Sequence, residues 1–154
     1  MTRWILPLIA FAAVAQAPKY SGPVPPAPDL PFLKHASSLL PAEAVEVKEE
    51  KRKDDTVYVV AGESSPSKTP LELPVFLIKA DKLNPLRLQM VRLQAADGHR
   101  EISATAKKNA GPIHVIVTRV ADGLFRLEAT DSLENGEYML SVEGTSQAFC
   151  FAIE

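Results

Sequence analysis

The chain has 154 residues and a formal net charge of −2, and 46% of its residues are hydrophobic. This length suits one ordinary domain with some terminal excess. The weakly acidic balance argues against a basic surface of the kind that nucleic acids or anionic membranes require. Cys150 is the one cysteine, so a disulfide within one chain is excluded.

Residues 1–15 have the pattern of a signal peptide. Arg3 supplies positive charge, Trp4 to Val14 is an apolar run, and Ala13 to Ala15 fits a small-residue cleavage site. The run is shorter than the about 20 apolar residues that a membrane span needs. We therefore expect a periplasmic or secreted protein that is cleaved after Ala15. Cleavage after Ala17 is one alternative, and an N-terminal core helix is another.

Residues 16–30 are predicted to form a proline-rich linker. Six prolines lie between Pro18 and Pro31. Such a run favours extended geometry and cannot join a sheet ladder repeatedly. We expect it to act as a tether, with a proline-motif ligand for an aromatic groove as the alternative.

Residues 31–61 are predicted to form an N-terminal extension that ends in a β-hairpin. Phe32 to Leu40 is ambiguous, and alternation begins at Ala44. The mixed-charge run Glu49 to Asp55 is typical of a solvated tip, and the β-branched run Thr56 to Val60 is typical of a strand. A short helix over 41–53 is the alternative, because Ala, Glu and Lys favour helices.

Residues 62–154 are predicted to form the main domain, a β-sandwich. Val75 to Ile78 is a consecutive apolar run of the kind found at a sheet centre. A phase switch at Met90-Val91 suggests a bulge, and Asp97-Gly98 and Asp122-Gly123 suggest hairpin turns. The chain contains eight or nine short predicted strands at a spacing of roughly ten residues and no convincing long amphipathic helix.

The C-terminal segment carries the clearest strand pattern. Tyr138, Leu140 and Val142 alternate with Met139, Ser141 and Glu143, and after a turn the run Gln147 to Glu154 alternates again. Two period-two runs that flank a glycine-containing turn predict a β-hairpin with one face in a core. The opposite face of the last strand carries the small residues Ala148, Cys150 and Ala152, and alternation does not decide whether that face is covered.

The segment Leu133 to Leu140 resembles the tyrosine corner of immunoglobulin-like Greek-key sandwiches. The resemblance implies that Tyr138 is buried and that its hydroxyl bonds to a backbone group in the 130–136 loop. Leu140 stands where immunoglobulin domains carry a cysteine, so the resemblance is to the disulfide-free branch. The expected fold class is an all-β, immunoglobulin-like antiparallel β-sandwich with an added N-terminal β-hairpin.

A second resemblance covers most of the chain after the linker. Its segments are Pro31 to Ala36, Lys48 to Glu50 with Asp54 to Tyr58, Lys68 to Leu71, and Phe149 to Ile153. They are similar to uncharacterised exported bacterial proteins. This resemblance implies a signal peptide followed by a small β-sandwich, and it implies no activity, cofactor or site residue.

The residue types needed for catalysis or metal binding lack the required spacing. His35, His99 and His114 form no metal-binding pair in sequence, and no Gly-x-Ser-x-Gly elbow occurs. Cys150 lies between Phe149 and Phe151, so we expect an inert thiol in a sheet. Two carboxylates could still meet in space, but a domain of this size argues against glycoside chemistry. We therefore predict no catalytic, cofactor-binding or metal-binding residue.

These observations predict an exported non-catalytic protein of the cell envelope that acts as a protein-interaction or structural module. The expected partner contact is made by residues 31–61, whose hairpin would present a strand edge on a stiff leader. A soluble periplasmic peptide- or carbohydrate-binding module is the alternative, and a small enzyme is a third. Loss of Trp4 with the signal peptide counts against sugar stacking. Neither a nucleic-acid partner nor a membrane span after signal removal is expected.

Overall fold

The computed structural model describes residues 19–105 and 111–154, which form two packed β-sheets. The predicted all-β sandwich is thereby confirmed. The first sheet has the strand order β10 (Val115–Ala121), β11 (Leu124–Ala129), β7 (Val75–Lys79), β1 (Pro31–His35) and β2 (Ser38–Pro41). The second has the order β3 (Glu43–Glu46), β13 (Gln147–Ile153), β12 (Gly136–Val142), β8 (Leu88–Ala96), β9 (His99–Ser103), β5 (Asp55–Ala61) and β4 (Lys48–Arg52).

Two short elements complete the described chain. β6 (Lys68–Thr69) pairs in parallel with the end of β13, whereas the other strand pairs are antiparallel. One turn of 3-10 helix, Pro85–Arg87, precedes β8. The predicted signal peptide, residues 1–15, and the first residues of the predicted linker lie outside the described residues.

Eight of the strands follow the immunoglobulin-like order. In the first sheet β1, β7, β11 and β10 correspond to strands A, B, E and D, and in the second β8, β12 and β13 correspond to C, F and G. β9 lies beside β8, where a C′ strand lies in variable-type domains. The remaining strands, β2 to β6, are an insertion between A and B.

The main core lies between the two sheets. Alternation along β13 directs Phe149, Phe151 and Ile153 toward the first sheet, as their pattern predicts. The Phe151 ring meets the edge of Phe76 from the first sheet at a centroid distance of 4.9 Å. Burial of these apolar side chains is the main favourable term that joins the two layers. The cluster also includes Leu33, Ile78, Met90, Leu127 and Leu140, which are all buried.

Tyr138 forms the predicted tyrosine corner. It is 2% exposed, and its hydroxyl donates to the carbonyl oxygen of Glu134 at 2.6 Å. Its ring stacks on Phe151 at 5.4 Å, and the guanidinium of Arg92 lies 5.8 Å from the ring centroid. Burial raises the pKa of the phenol, so the hydroxyl keeps its proton and acts as a donor. The hydrogen bond fixes the loop before β12 to the strand that follows it.

Replacing Tyr138 with phenylalanine removes this hydrogen bond and keeps the ring. We expect the free energy of unfolding to fall by about 1 kcal/mol, the usual net value of one such bond. Urea denaturation of the parent and the variant measures the difference. Tyr58→Phe is the control, because Tyr58 is 38% exposed and should tolerate the same change. Equal midpoints for Tyr138→Phe and the parent would show that the bond does not stabilise the fold.

In one respect the sequence prediction was wrong, because residues 31–61 are not an addition to a complete sandwich. β1 lies inside the first sheet, where Leu33 pairs with Phe76 of β7 on one side and with Leu40 of β2 on the other. The insertion then adds β3 beside β13 and β5 beside β9. Both sheets therefore depend on this segment for their strand pairing.

The charged hairpin exists, but its boundaries differ from the prediction. The mixed-charge run forms strand β4 itself, which pairs with β5 around a turn at Lys53-Asp54. All five side chains of β4 are exposed. Their charges therefore remain hydrated, and an edge strand can carry them. Ala44, predicted to begin the hairpin, belongs to β3 at the opposite end of the sheet. The alternative helix over 41–53 does not form.

The bulge predicted at Met90-Val91 is also absent. β8 pairs with β12 in one continuous register from Leu88 to Leu93. Met90 and Val91 are both buried because this sheet has apolar contacts on both faces. Met90 belongs to the cluster between the sheets and Val91 to a second cluster on the other face. A strand buried on two sides loses the alternation that the prediction depended on.

The end of the proline-rich segment is attached to the sandwich. Pro25 is buried, and the amide of Asp29 donates to the carbonyl of Lys79 at 2.8 Å. The Asp29 carboxylate accepts from the amides of Asp81, Lys82 and Leu83 at 2.8 to 3.1 Å. Residues 25–30 therefore follow the surface of the domain and add no reach.

Candidate functional site

The second sheet curls strongly because of how the insertion is threaded. β3 and β4 lie at the two ends of its strand order, yet only Val47 separates them in the chain. The sheet must therefore bend until its ends approach each other, and β3 comes close to β5. The result is a half-barrel with a concave inner face.

A second apolar cluster fills the middle of the concave face. Two of the small residues of the last strand, Ala148 and Cys150, lie here and have no exposed surface. Their small size lets the insertion come close, with Val45 and Val60 packed in the same cluster. Alternation could not show whether this small-residue face was covered, and the strands of the insertion cover it.

One end of the half-barrel opens into a cavity of about 410 Å³. This volume lies within the range of about 300–1,000 Å³ that is typical of small-molecule sites. The cavity wall is contributed by β5, β8, β9, β12, the start of β13 and the adjoining loops. Its apolar residues include Val47, Val91, Ile102, Met139 and Val142, and its polar residues include Tyr58, Gln89, Ser141, Thr145 and Gln147.

The cavity lining has little charge. Glu143 is its one carboxylate among the described residues, and neither lysine nor arginine is part of that lining. Among the described lining residues an anionic group would meet no compensating cation, so its desolvation there would be costly. The side chains of Gln89 and Gln147 offer amide donors and acceptors, and the Ser141 hydroxyl donates to the backbone carbonyl of Gln89 at 3.3 Å. The arrangement suits an uncharged molecule with one or two polar groups.

The other end of the half-barrel is closed by a buried arginine. Arg100 has no exposed surface, and it donates to the carbonyls of Gly62 and Ala61 at 2.8 Å each. Its Nη1 also donates to Glu43 Oε1 at 2.9 Å and lies 3.7 Å from Glu137 Oε1. The guanidinium thereby joins β9 to three other parts of the sheet.

Glu137 receives further donors, so the second carboxylate of the cluster is also satisfied. The amide of Ser65 donates to Glu137 Oε1 at 2.6 Å, and the hydroxyl of Ser64 donates to Oε2 at 3.1 Å. Charged groups are stable in an interior only when they are paired and hydrogen-bonded in this manner. Glu43 lies on the insertion and Glu137 on β12, so the cluster fastens the insertion to the sandwich.

Sequence reasoning did not find Arg100, which lies two residues after the Asp97-Gly98 turn. Its position in phase with Ile102 was the available signal, because alternation places both residues on one face of β9. A charged residue in phase with apolar residues predicts a buried ion pair only when a residue of opposite charge can be assigned to it. The partners of Arg100 are Glu43 and Glu137, which are distant in sequence.

Scans against protein-family models, curated proteins and solved structures found no match.

The thiol of Cys150 has the sheet position that the sequence predicts. It is fully buried, and burial raises its pKa to about 12, with Arg100 opposing the shift. At neutral pH only about one thiol in 10⁵ is then ionised, and the thiolate is the reactive form. Cys150 therefore packs as a small apolar residue.

We expect Cys150 to react slowly with a bulky thiol reagent in the native state. Burial and the raised pKa both act in this direction, and unfolding in urea should increase the rate by at least about 10³-fold. The appearance of labelled protein at neutral pH, with and without urea, measures both rates. Fast labelling without urea would mean that the insertion opens readily from the concave face.

The three histidines lie apart. His35 bonds to Thr69 Oγ1 at 2.8 Å, and His114 is exposed just before β10. His99 bonds to Glu101 at 3.0 Å, and this hydrogen bond raises the pKa of the imidazole. Across residues 19–105 and 111–154, the His, Cys, Asp and Glu side chains form no group of three suited to a metal ion. Among those residues no helix is long and apolar enough to cross a membrane.

Proposed function

We propose that the protein is an exported, non-catalytic binding module that holds a small uncharged molecule in the cavity of its curled sheet. The observation that carries this proposal is the 410 Å³ cavity, with apolar side chains on its walls and uncharged polar groups among them. Cavities of this composition at the mouth of a barrel are a frequent type of ligand site. Apolar contact supplies affinity there, and a few polar groups set orientation.

The titratable side chains of the described lining favour binding over catalysis. They are Tyr58 and Glu143, and Cys150 lies in the sealed middle of the half-barrel with a protonated thiol. General acid–base or nucleophilic catalysis needs a nucleophile or a base in reach of the ligand. Tyr58 is also the one aromatic residue of this lining, so stacking of a sugar ring has a single platform.

A neutral solvatochromic dye such as Nile red tests the cavity directly. We expect the mature chain to bind it with a blue-shifted emission. Ser141→Trp should weaken this binding by about tenfold or more, because the indole would occupy the cavity next to Met139. Leu86→Trp is the control, since Leu86 is 71% exposed and lies outside the lining. Thermal denaturation of the three proteins checks that a difference in dye binding does not come from a difference in stability.

Two results would contradict the proposal. The parent chain could give no blue-shifted emission at any accessible concentration, or Ser141→Trp could bind the dye as the parent does. If the parent binds the dye and Ser141→Trp weakens that binding, mass spectrometry of an organic extract from gently purified protein would identify the natural occupant.

A protein contact through residues 31–61 is the second candidate function. It is favoured by β4, a strand at the end of the second sheet whose five side chains are all exposed. Lys48 to Arg52 carries both charge signs, and such charges commonly keep an edge solvated. This is why the contact ranks second. Glu49→Lys with Glu50→Lys should abolish co-purification of an envelope partner without loss of stability, and retention of that partner would contradict the contact.

Export is part of the proposal and rests on Arg3, the apolar run and the Ala13 to Ala15 site. Mass spectrometry of envelope-fractionated protein should find an N-terminus at Gln16, in part cyclised. An intact Met1 on that fraction would exclude cleavage. An N-terminus at Pro18 would move the cut to Ala17 and leave export standing.

A further inference from the structure

The described sheets end in four edge strands, and three of them are protected from pairing with another chain. β2 has four residues and ends in Pro41, which lacks an amide donor. β3 also has four residues, of which Glu43 and Glu46 are charged. β4 consists of exposed charged side chains. Short length, proline and charge are the usual means by which native edges avoid association.

β10 is the exception. It has seven residues, and five of them are β-branched, namely Val115, Ile116, Val117, Thr118 and Val120. It contains no proline, and its one charged residue, Arg119, is paired with Asp122 of the following turn. Ile116 is 49% exposed on the outer face. This composition has the highest β propensity of the four edges.

The free backbone groups of β10 can be assigned from its pairing with β11. The amide of Thr130 donates to the carbonyl of His114, and the register continues as Val115 to Ala129 and Val117 to Leu127. In an antiparallel ladder, residues whose backbone groups bond to the neighbouring strand alternate with residues whose N–H and C=O groups point away from that strand. Val115, Val117 and Arg119 therefore direct their N–H and C=O groups to the open edge. A bulge beyond Arg119 limits this row at its far end.

We propose that β10 pairs antiparallel with β10 of a second copy of this chain, about a two-fold axis at Val117. In this register Val117 faces its own copy and Val115 faces Arg119 of the second copy, so outward groups meet outward groups. About six backbone hydrogen bonds can form. The two first sheets then continue as one sheet across the axis.

The charges and side chains fit this register. The two Arg119 side chains lie at opposite ends of the paired segment, about 13 Å apart along the strands. That spacing exceeds the Debye length of about 10 Å at 0.1 M salt, so their repulsion is weak. On the outer face Ile116 stands opposite Thr118 of the second copy, a pair of β-branched residues that stabilises sheets. The contact area is small, so we expect a dimer that forms with rising concentration.

Sedimentation velocity over a wide concentration range tests the pairing with the mature chain. Ile116→Lys should raise the dimer dissociation constant by about tenfold or more, because it places two cations diagonally across the axis. Leu86→Lys is the matched control, since it exchanges another exposed apolar residue that lies outside β10 and should leave the constant unchanged. Both positions are exposed, so the fold should tolerate either lysine.

A cysteine pair tests the register itself. Ile116→Cys combined with Thr118→Cys places the two thiols opposite each other across the axis at a Cα separation that suits a disulfide. Mild oxidation should give covalent dimers of the double variant and little from Ile116→Cys alone. A parent that stays monomeric throughout would overturn the proposal and leave the edge to a strand of another protein. A dimer that survives Ile116→Lys unchanged would overturn it as well.

Discussion

Replacement of Arg100 by methionine should lower the free energy of unfolding by about 3–5 kcal/mol, the usual cost of removing one partner from a buried ion pair. The variant keeps most of the apolar volume of the side chain and loses its donors. Glu43 and Glu137 then lose their shared cation. The carbonyls of Ala61 and Gly62 also lose the donors that satisfy them. Each unsatisfied buried group adds to the cost.

Urea denaturation of Arg100→Met measures this effect, with Arg92→Met as the matched control. Arg92 also pairs with a carboxylate, Glu134 at 2.9 Å, but its side chain is 39% exposed. Arg92 also donates to the Asn135 carbonyl at 2.9 Å and lies over the Tyr138 ring. Exposed pairs and exposed cation–π contacts each contribute at most about 1 kcal/mol, so the control should lose clearly less stability than Arg100→Met. Equal midpoints for the two variants would show that the buried cluster does not fasten the insertion.

Adding Glu43→Leu to Arg100→Met should recover part of the lost stability. The double variant removes an unpaired carboxylate along with its cation, and apolar replacements of whole buried pairs are often neutral or favourable. The recovery separates the cost of an orphaned charge from the value of the pair. It also leaves Glu137 with its Ser64 and Ser65 donors.

The sequence predicts best where one face of a strand is buried and the other is not. Phe149, Phe151 and Ile153 alternate with small residues, and they lie between the sheets as predicted. The tyrosine corner is equally local, because Tyr138 bonds to Glu134 four residues earlier. Such patterns depend on neighbours in the chain and require no knowledge of the tertiary fold.

The insertion could not be placed from sequence because its strands pair with distant partners. β3 and β4 are neighbours in sequence, yet they lie at opposite ends of the second sheet. The linker Val47 does not indicate whether the chain crosses to the far end of the half-barrel or turns back in a tight hairpin. The cavity follows from this crossing, so it was equally hidden, and Tyr58 and Ile102 gave no sign of a shared site.

Deletion of residues 31–61 should abolish folding, and this is the largest effect we expect. The deletion removes buried side chains that include Phe32, Leu33, Val57 and Val60. Losses of roughly 2–4 kcal/mol for each would together match or exceed the total stability of an ordinary domain, about 5–15 kcal/mol. It also removes β1 from its place beside β7 and leaves Arg100 without Glu43.

Circular dichroism and a urea titration of the deleted chain measure this outcome, which should be a broad change without a cooperative transition. The control is a chain that begins at Pro25, since Val24 is 57% exposed and the first buried proline is kept. That shorter deletion should unfold near the parent midpoint. A cooperative transition in the chain that lacks residues 31–61 would mean that strands from β7 onward form a complete sandwich by themselves.

The deletion result decides how a partner contact through this segment can be studied. If the deleted chain is unfolded, loss of a partner on deletion reports loss of the fold and gives no information about the contact surface. Point changes on β4 avoid this difficulty, because its side chains from Lys48 to Arg52 are exposed and make no contribution to either core. A partner that tolerates those changes but not Ile116→Lys would instead use the edge at β10, where the backbone of the first sheet is open.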